Sequence, residues 1–118
     1  LLPLLCESIR VTHILDDGRR LWLLDWEYAG FNSPLFDLGG LASNSELPPE
    51  REEWLLDAYF EGAVTPDLRR RYAAMRCASL LREAMWSMAS ELHSTIDFDY
   101  TAYTAENLGR LERAWAGL

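Results

Sequence analysis

The chain has 118 residues, 49% of them hydrophobic and 25% charged, with a formal net charge of −8 from 11 basic and 19 acidic side chains. That is the profile of one modest globular domain. The acidic balance argues against nucleic acid or an anionic membrane as partner, since both need a basic patch; it is compatible with a small cationic substrate, although solubility alone often explains acidity.

Cys6 and Cys77 stand far apart and in no metal-ligand spacing. A disulfide scaffold is therefore not expected, and a cytoplasmic, reducing location is the default. The first residues lack the charged, apolar and small-residue plan of a signal peptide. No run of about 18 apolar residues is present, so no membrane span is expected.

Residues 1–5 are apolar and lack a starting methionine, which reads as the interior of a fold rather than a natural beginning. Residues 8–15 carry Ile9, Val11, Thr12 and Ile14 and read as a strand. Asp16-Asp17-Gly18 then turns the chain, and residues 20–24 return as a second strand. An Asp-Gly turn between two such runs is a hairpin signal. The apolar run 21–24 reads as a buried strand ending in Asp25. A carboxylate at the end of a buried strand is costly unless a cation meets it, so Asp25 is expected to face a metal ion with its phosphate, or a basic side chain.

Residues 30–44 read as a loop entering a short helix, with Pro34 able to open it and Leu35, Leu38, Leu41 and Ala42 supplying an apolar face. Asp37 falls in its first turn, where the macrodipole favours a carboxylate. A second helix starts at Pro48-Pro49, with Glu50, Glu52 and Glu53 early, an apolar face of Trp54, Leu55, Ala58 and Tyr59, and a stop at Gly62. Thr65-Pro66-Asp67 opens a third helix running to about residue 92. Its stripe is Leu68, Tyr72, Met75, Ser79, Met85, Met88 and Leu92, and its length invites a kink near residues 77–79. After a loop at 94–96, Asp99 caps a last helix with the stripe Tyr100, Tyr103, Leu108, Leu111 and Trp115.

Two segments carry a family resemblance. Leu24-Asp25-Trp26-Glu27-Tyr28-Ala29-Gly30, followed by Asn32, Pro34 and Phe36-Asp37-Leu38, resembles the metal-site segment of the choline/ethanolamine kinases, part of the wider aminoglycoside-phosphotransferase and protein-kinase-like group. Leu81-Arg82-Glu83-Ala84-Met85-Trp86-Ser87-Met88, then Asp97-Phe98-Asp99-Tyr100 and Tyr103, resembles that family's substrate segment. The resemblance implies a mainly α (α+β) fold: the helical C-terminal lobe of a kinase-like phosphotransferase with a short N-terminal β-hairpin. Residues 1–30 would form the hairpin and metal-site strand, and residues 31–118 a helical substrate subdomain. The cofactors implied are Mg²⁺ and ATP, and the substrate a small cationic amino-alcohol.

The roles implied are specific. Asp25 would hold Mg²⁺ against the ATP phosphates, as the metal-binding Asp of kinases does. Glu27 would support the same metal or the loop behind it, and Asp37 would brace the catalytic loop. Trp86 and Tyr103 would hold the ammonium through cation–π attraction, with Glu83 or Asp97 adding Coulomb attraction. Without the resemblance, aromatics at helical spacing read as core. Glu83 stands where the family commonly has a second Trp. His13 stands where the family has an Asn metal ligand; Mg²⁺ prefers oxygen, which favours a surface or strand histidine.

No catalytic base is expected within the chain. The family's His-Asn-Asp would lie just before Leu1-Leu2-Pro3, and there is no glycine-rich phosphate cover and no lysine. The isolated chain is therefore expected to be inactive, completed by a missing N-terminal lobe or a second copy. The alternatives are a non-catalytic helical interaction module with a contact around residues 1–5, or a kinase for an aminoglycoside or thiamine-like substrate.

Overall fold

The computed structural model describes residues 4–6, 11–25 and 29–118. Four short strands and four helices follow in order: β1 (Leu4–Cys6), a 3₁₀ turn (Val11–His13), β2 (Ile14–Asp16), β3 (Leu21–Leu23), β4 (Ala29–Phe31), α1 (Pro34–Asn44), α2 (Pro49–Tyr59), α3 (Pro66–His93) and α4 (Tyr100–Ala116). The chain is mainly helical, with the expected hairpin at its start.

That hairpin is β2–β3, antiparallel, with Ile14 opposite Leu23 and Asp16 opposite Leu21. Asp17 organises the turn: its Oδ1 accepts from the backbone N–H of Arg19 and Arg20, and its Oδ2 from the Trp22 indole at 2.7 Å. A second antiparallel pair, β1 with β4, sets Leu5 opposite Gly30. β4 was not expected, because the chain reads as loop from residue 30. The strand expected over 8–15 is confined to Ile14–Asp16, since the 3₁₀ turn takes the residues just before it; residues 8–10 lie outside the described part.

The run 21–24 is not buried. Leu21 is 69% exposed, and Trp22 and Leu24 are also exposed. A two-stranded ribbon has two faces, and among the described residues no second layer covers this one. Trp22 is held instead by Asp17 and by the Arg20 guanidinium, 5.0 Å from its ring centroid.

α1 begins as its sequence dictates. Ser33 caps it, its Oγ accepting from Leu35 N–H, and Pro34 occupies the first turn. Leu35, Leu38 and Ala42 are buried and join Leu56 of α2 and Tyr72 of α3 in the core. α1 packs closely on α3 because Gly39 has no side chain: a Cβ there would lie 2.8 Å from Arg76 Cα.

α2 turns a different face inward from the one its apolar residues mark. Trp54, Ala58 and Tyr59 are exposed, while Glu52 and Leu56, one turn apart, are buried. The Glu52 carboxylate accepts from the Tyr72 hydroxyl at 2.7 Å and pairs with Arg76 at 3.2 Å, so a buried charge is matched from both sides. The helix ends at Tyr59, three residues before the expected glycine. Glu61 takes the left-handed position, with φ 52°, and Gly62 N–H donates to Asp57 C=O at 2.9 Å, closing a Schellman motif.

α3 is helical without interruption over its 28 residues, so the chain makes no break at residues 77–79. Thr65 caps it through Leu68 N–H. Only the first half of its expected stripe is inward. Met85, Met88 and Leu92 are exposed, and the buried side chains are Cys77, Ser79, Leu80, Glu83, Ala84 and Ser87. α4 docks there with Thr104 and Asn107 buried and Trp115 exposed. Small and polar residues let the two helices approach, so burial here does not follow hydrophobicity.

Candidate functional site

The first candidate centre lies where β3 ends. The 3₁₀ turn places His13, one-fifth exposed, so that Nε2 lies 3.5 Å from Asp25 Oδ2. Leu24 N–H donates to His13 C=O at 2.8 Å, which fixes the two segments together. Asp25 is not the buried group the sequence suggested: its side chain is 49% exposed. The reason is the exposed ribbon that carries it. Its backbone has φ 68°, a region non-glycine residues seldom occupy, though Asp tolerates it better than most. Such outliers concentrate at functional positions.

Among the described residues no group of three or more His, Cys, Asp or Glu side chains could hold a metal ion. Among the described residues the donors at this centre are His13 and the half-exposed Asp25. An open carboxylate suits a cation that keeps most of its water and phosphate ligands, as Mg²⁺ does. Glu27 lies outside the described residues. Asp37 is buried in the first turn of α1, beside the capping Ser33.

The second centre is built on α3 and α4. Glu83 and Trp86 are three residues apart on α3, and Tyr100 and Tyr103 three apart on α4, so each pair shares a helix face. The connecting loop inserts Phe98. Trp86 meets Tyr100 at 6.0 Å between centroids, Tyr100 meets Phe98 at 5.0 Å, and Phe98 meets Tyr103 at 5.7 Å. All three contacts are edge-to-face, the arrangement that aromatic quadrupoles favour. Trp86 and Tyr103 thus belong to one run of four rings. Trp86 is 46% and Phe98 55% exposed, so the run opens to solvent.

Beneath it lies Glu83, 3% exposed. Its Oε1 accepts from the Tyr103 hydroxyl at 2.6 Å, and its Oε2 pairs with Arg82 at 3.2 Å. Ser94 donates to the Tyr100 hydroxyl at 3.2 Å. Glu83 was expected to attract a ligand cation directly. Paired with Arg82 and covered, it instead fixes the Tyr103 ring. Asp97 is exposed. Sequence reasoning gave no ring-wall role to Phe98 or Tyr100 and set His13 aside. The three-residue spacing of Tyr100 and Tyr103 was the available signal for one of them; His13 meets Asp25 only through the fold.

No protein-family model matches the chain. Human ethanolamine kinase 2 is 35% identical over 85% of this chain, an alignment spanning 30% of that protein. Protein LicA of Haemophilus influenzae is 42% identical over 46 residues, covering 39% of this chain and 17% of LicA. A solved structure, a choline/ethanolamine kinase family protein from Mesorhizobium loti, superposes with a TM-score of 0.85 at 30% identity, covering 97% of this chain and 40% of that one. Fold and sequence together define a kinase-like protein. The chain belongs to the choline/ethanolamine kinase family. It spans less than half the length of each of these relatives.

Proposed function

We propose that the chain is the C-terminal part of an ATP-dependent phosphotransferase that moves the γ-phosphoryl group of ATP onto a small amino-alcohol in the cytoplasm. The observation that carries this reading is the run of four rings between Trp86 and Tyr103, anchored on Glu83. An ammonium group lacks strong acceptors and is well held by ring faces, each contributing about 0.5–2 kcal/mol depending on desolvation. A fixed ring loses little further freedom on binding.

In this reading Asp25 holds Mg²⁺, with Glu27 supporting it and His13 beside it. When bound, Mg²⁺ would supply positive charge against the nucleotide phosphates. Asp37 braces the loop before α1. Trp86 and Tyr103 orient the ammonium end of the alcohol. Such transfer depends on positioning and charge neutralisation, and this chain supplies only part of either. The isolated 118 residues are therefore expected to turn over no substrate. Calorimetric titration with Mg²⁺-ATP tests the metal role: binding that Asp25→Ala abolishes supports it, and binding indifferent to Asp25 overturns it. Protection by choline or ethanolamine, against an aminoglycoside or thiamine, separates the substrate classes.

A second reading is favoured by exposed apolar side chains on the two strand pairs, Leu21 of β3 at 69% and Phe31 of β4 at 72%; the contact expected around residues 1–5 falls largely outside the described residues. Such a surface suits a protein contact: a missing lobe, or a second copy if the chain is a non-catalytic module. Concentration-dependent dimerisation without nucleotide binding supports the module; a monomer that binds Mg²⁺-ATP excludes it.

A further inference from the structure

A cavity of about 270 Å³ lies between the end of α1, the middle of α3 and the last turns of α4, and no residue of the two candidate centres lines it. Its lining residues include Arg76, Arg110 and Arg113 and one acidic residue, Glu46. Arg76 and Arg110 are already paired with carboxylates, Arg76 with Glu52 and Arg110 with Glu46 and Glu106, which leaves Arg113 as the cation of the three with no ion pair among the described residues.

Few of their donors are used. Arg76 spends Nη2 on Glu52, while its buried Nε has no partner. The Arg110 side chain is only 17% exposed and spends Nη2 alone, on Glu46 and Glu106 at 2.6 Å each. Arg113 has no carboxylate partner among the described residues. Its Nη1 folds back over Gly109, 3.4 Å from where a Cβ would stand. The helix C-termini nearby favour cations at these positions, but they do not satisfy the planar fork of N–H donors that each guanidinium carries. Glu46, the carboxylate that lines the cavity, is largely exposed, so its side chain can leave Arg110 when a stronger acceptor arrives.

We propose that this cavity is a binding site for a phosphate group, either inorganic phosphate or a small phosphate monoester. Guanidinium forks match the oxygens of a tetrahedral phosphate, with short charge-assisted hydrogen bonds. The volume admits a phosphate group with a few carbon atoms.

The test uses the whole chain in EDTA, so that no divalent cation can bridge phosphate to Asp25. Inorganic phosphate and glycerol phosphate are titrated separately by calorimetry, against chloride at equal ionic strength. The expected result is saturable binding that Asp25→Ala leaves intact and that Arg113→Ala weakens roughly tenfold or more. Arg113 is exposed, and far-UV circular dichroism verifies that its variant stays folded; Arg110→Ala is the second variant. Tighter glycerol phosphate identifies a monoester site, and tighter inorganic phosphate a free-ion site. Heats no larger than those of chloride, or binding unchanged in both arginine variants, overturn the proposal. Loss of binding in Asp25→Ala alone assigns the phosphate to the other centre and overturns it as well.

Discussion

The Tyr103 hydroxyl donates to the buried Glu83 carboxylate at 2.6 Å, joining α4 to α3 directly beneath the exposed rings. Removing the donor leaves a covered charge short of one hydrogen bond. Tyr103→Phe is expected to lower stability by about 1–3 kcal/mol, read from urea unfolding. Trp86→Ala removes a half-exposed ring and one edge-to-face contact, and should cost only about 0.5–1.5 kcal/mol. The two variants separate anchoring from ligand contact: Trp86→Ala should keep the fold and lose the ammonium.

The close approach of α1 to α3 makes Gly39 sensitive. Alanine is worth about 1 kcal/mol more than glycine inside a helix. At residue 39 its Cβ meets Arg76 Cα at 2.8 Å and Arg76 N at 2.9 Å, backbone atoms that cannot turn aside. Gly39→Ala should therefore destabilise by about 1–3 kcal/mol. Gly40→Ala meets only the Ser79 hydroxyl, at 3.0 Å, and should cost less. Thermal melts of the pair give the comparison.

Glu61 adopts φ 52° at the end of α2, where glycine is ordinarily found. Glu61→Gly relieves the side-chain clash but adds freedom to the unfolded chain. The net gain is expected to be about 0.5–1 kcal/mol, measurable as a raised urea midpoint.

Burial, and then the hydrogen bond to the Glu52 carboxylate, push the Tyr72 phenol well above its ordinary value of 10.0. A raised folded value means the contribution is fully present below about pH 10 and is lost above it, as the unfolded chain ionises and the folded one does not. Stability should fall by up to about 1.4 kcal/mol per pH unit in that range. Tyr72→Phe should remove that part of the slope. Urea midpoints from about pH 9 to pH 11.5 in both proteins check it.

The hairpin turn, the three helix openings at Pro34, Pro49 and Pro66 and the cap at Asp99 were legible because each rests on a local signal. The inward faces were harder. α2 buries Glu52 rather than Trp54, and α3 buries Glu83 rather than Met85, because partners distant in sequence, Tyr72 and Tyr103, satisfy those carboxylates. A pattern of hydrophobicity carries no record of such partners. The same limit hid His13, which meets Asp25 only after the ribbon folds back. Apolar periodicity alone reads Trp86 and Tyr103 as core and only the family resemblance sets them apart; the fold brings both into one run of rings.

The central claim, that the ring run receives a positively charged alcohol, is tested most directly at Trp86. Its indole N–H resonance is followed by NMR during titration with ethanolamine, choline and the uncharged choline isostere 3,3-dimethylbutan-1-ol. The account predicts a saturable shift with an ammonium compound, little with the isostere, and loss of the shift in Tyr103→Ala. Equal shifts from the charged and uncharged alcohols, or none from either ammonium compound, would contradict it.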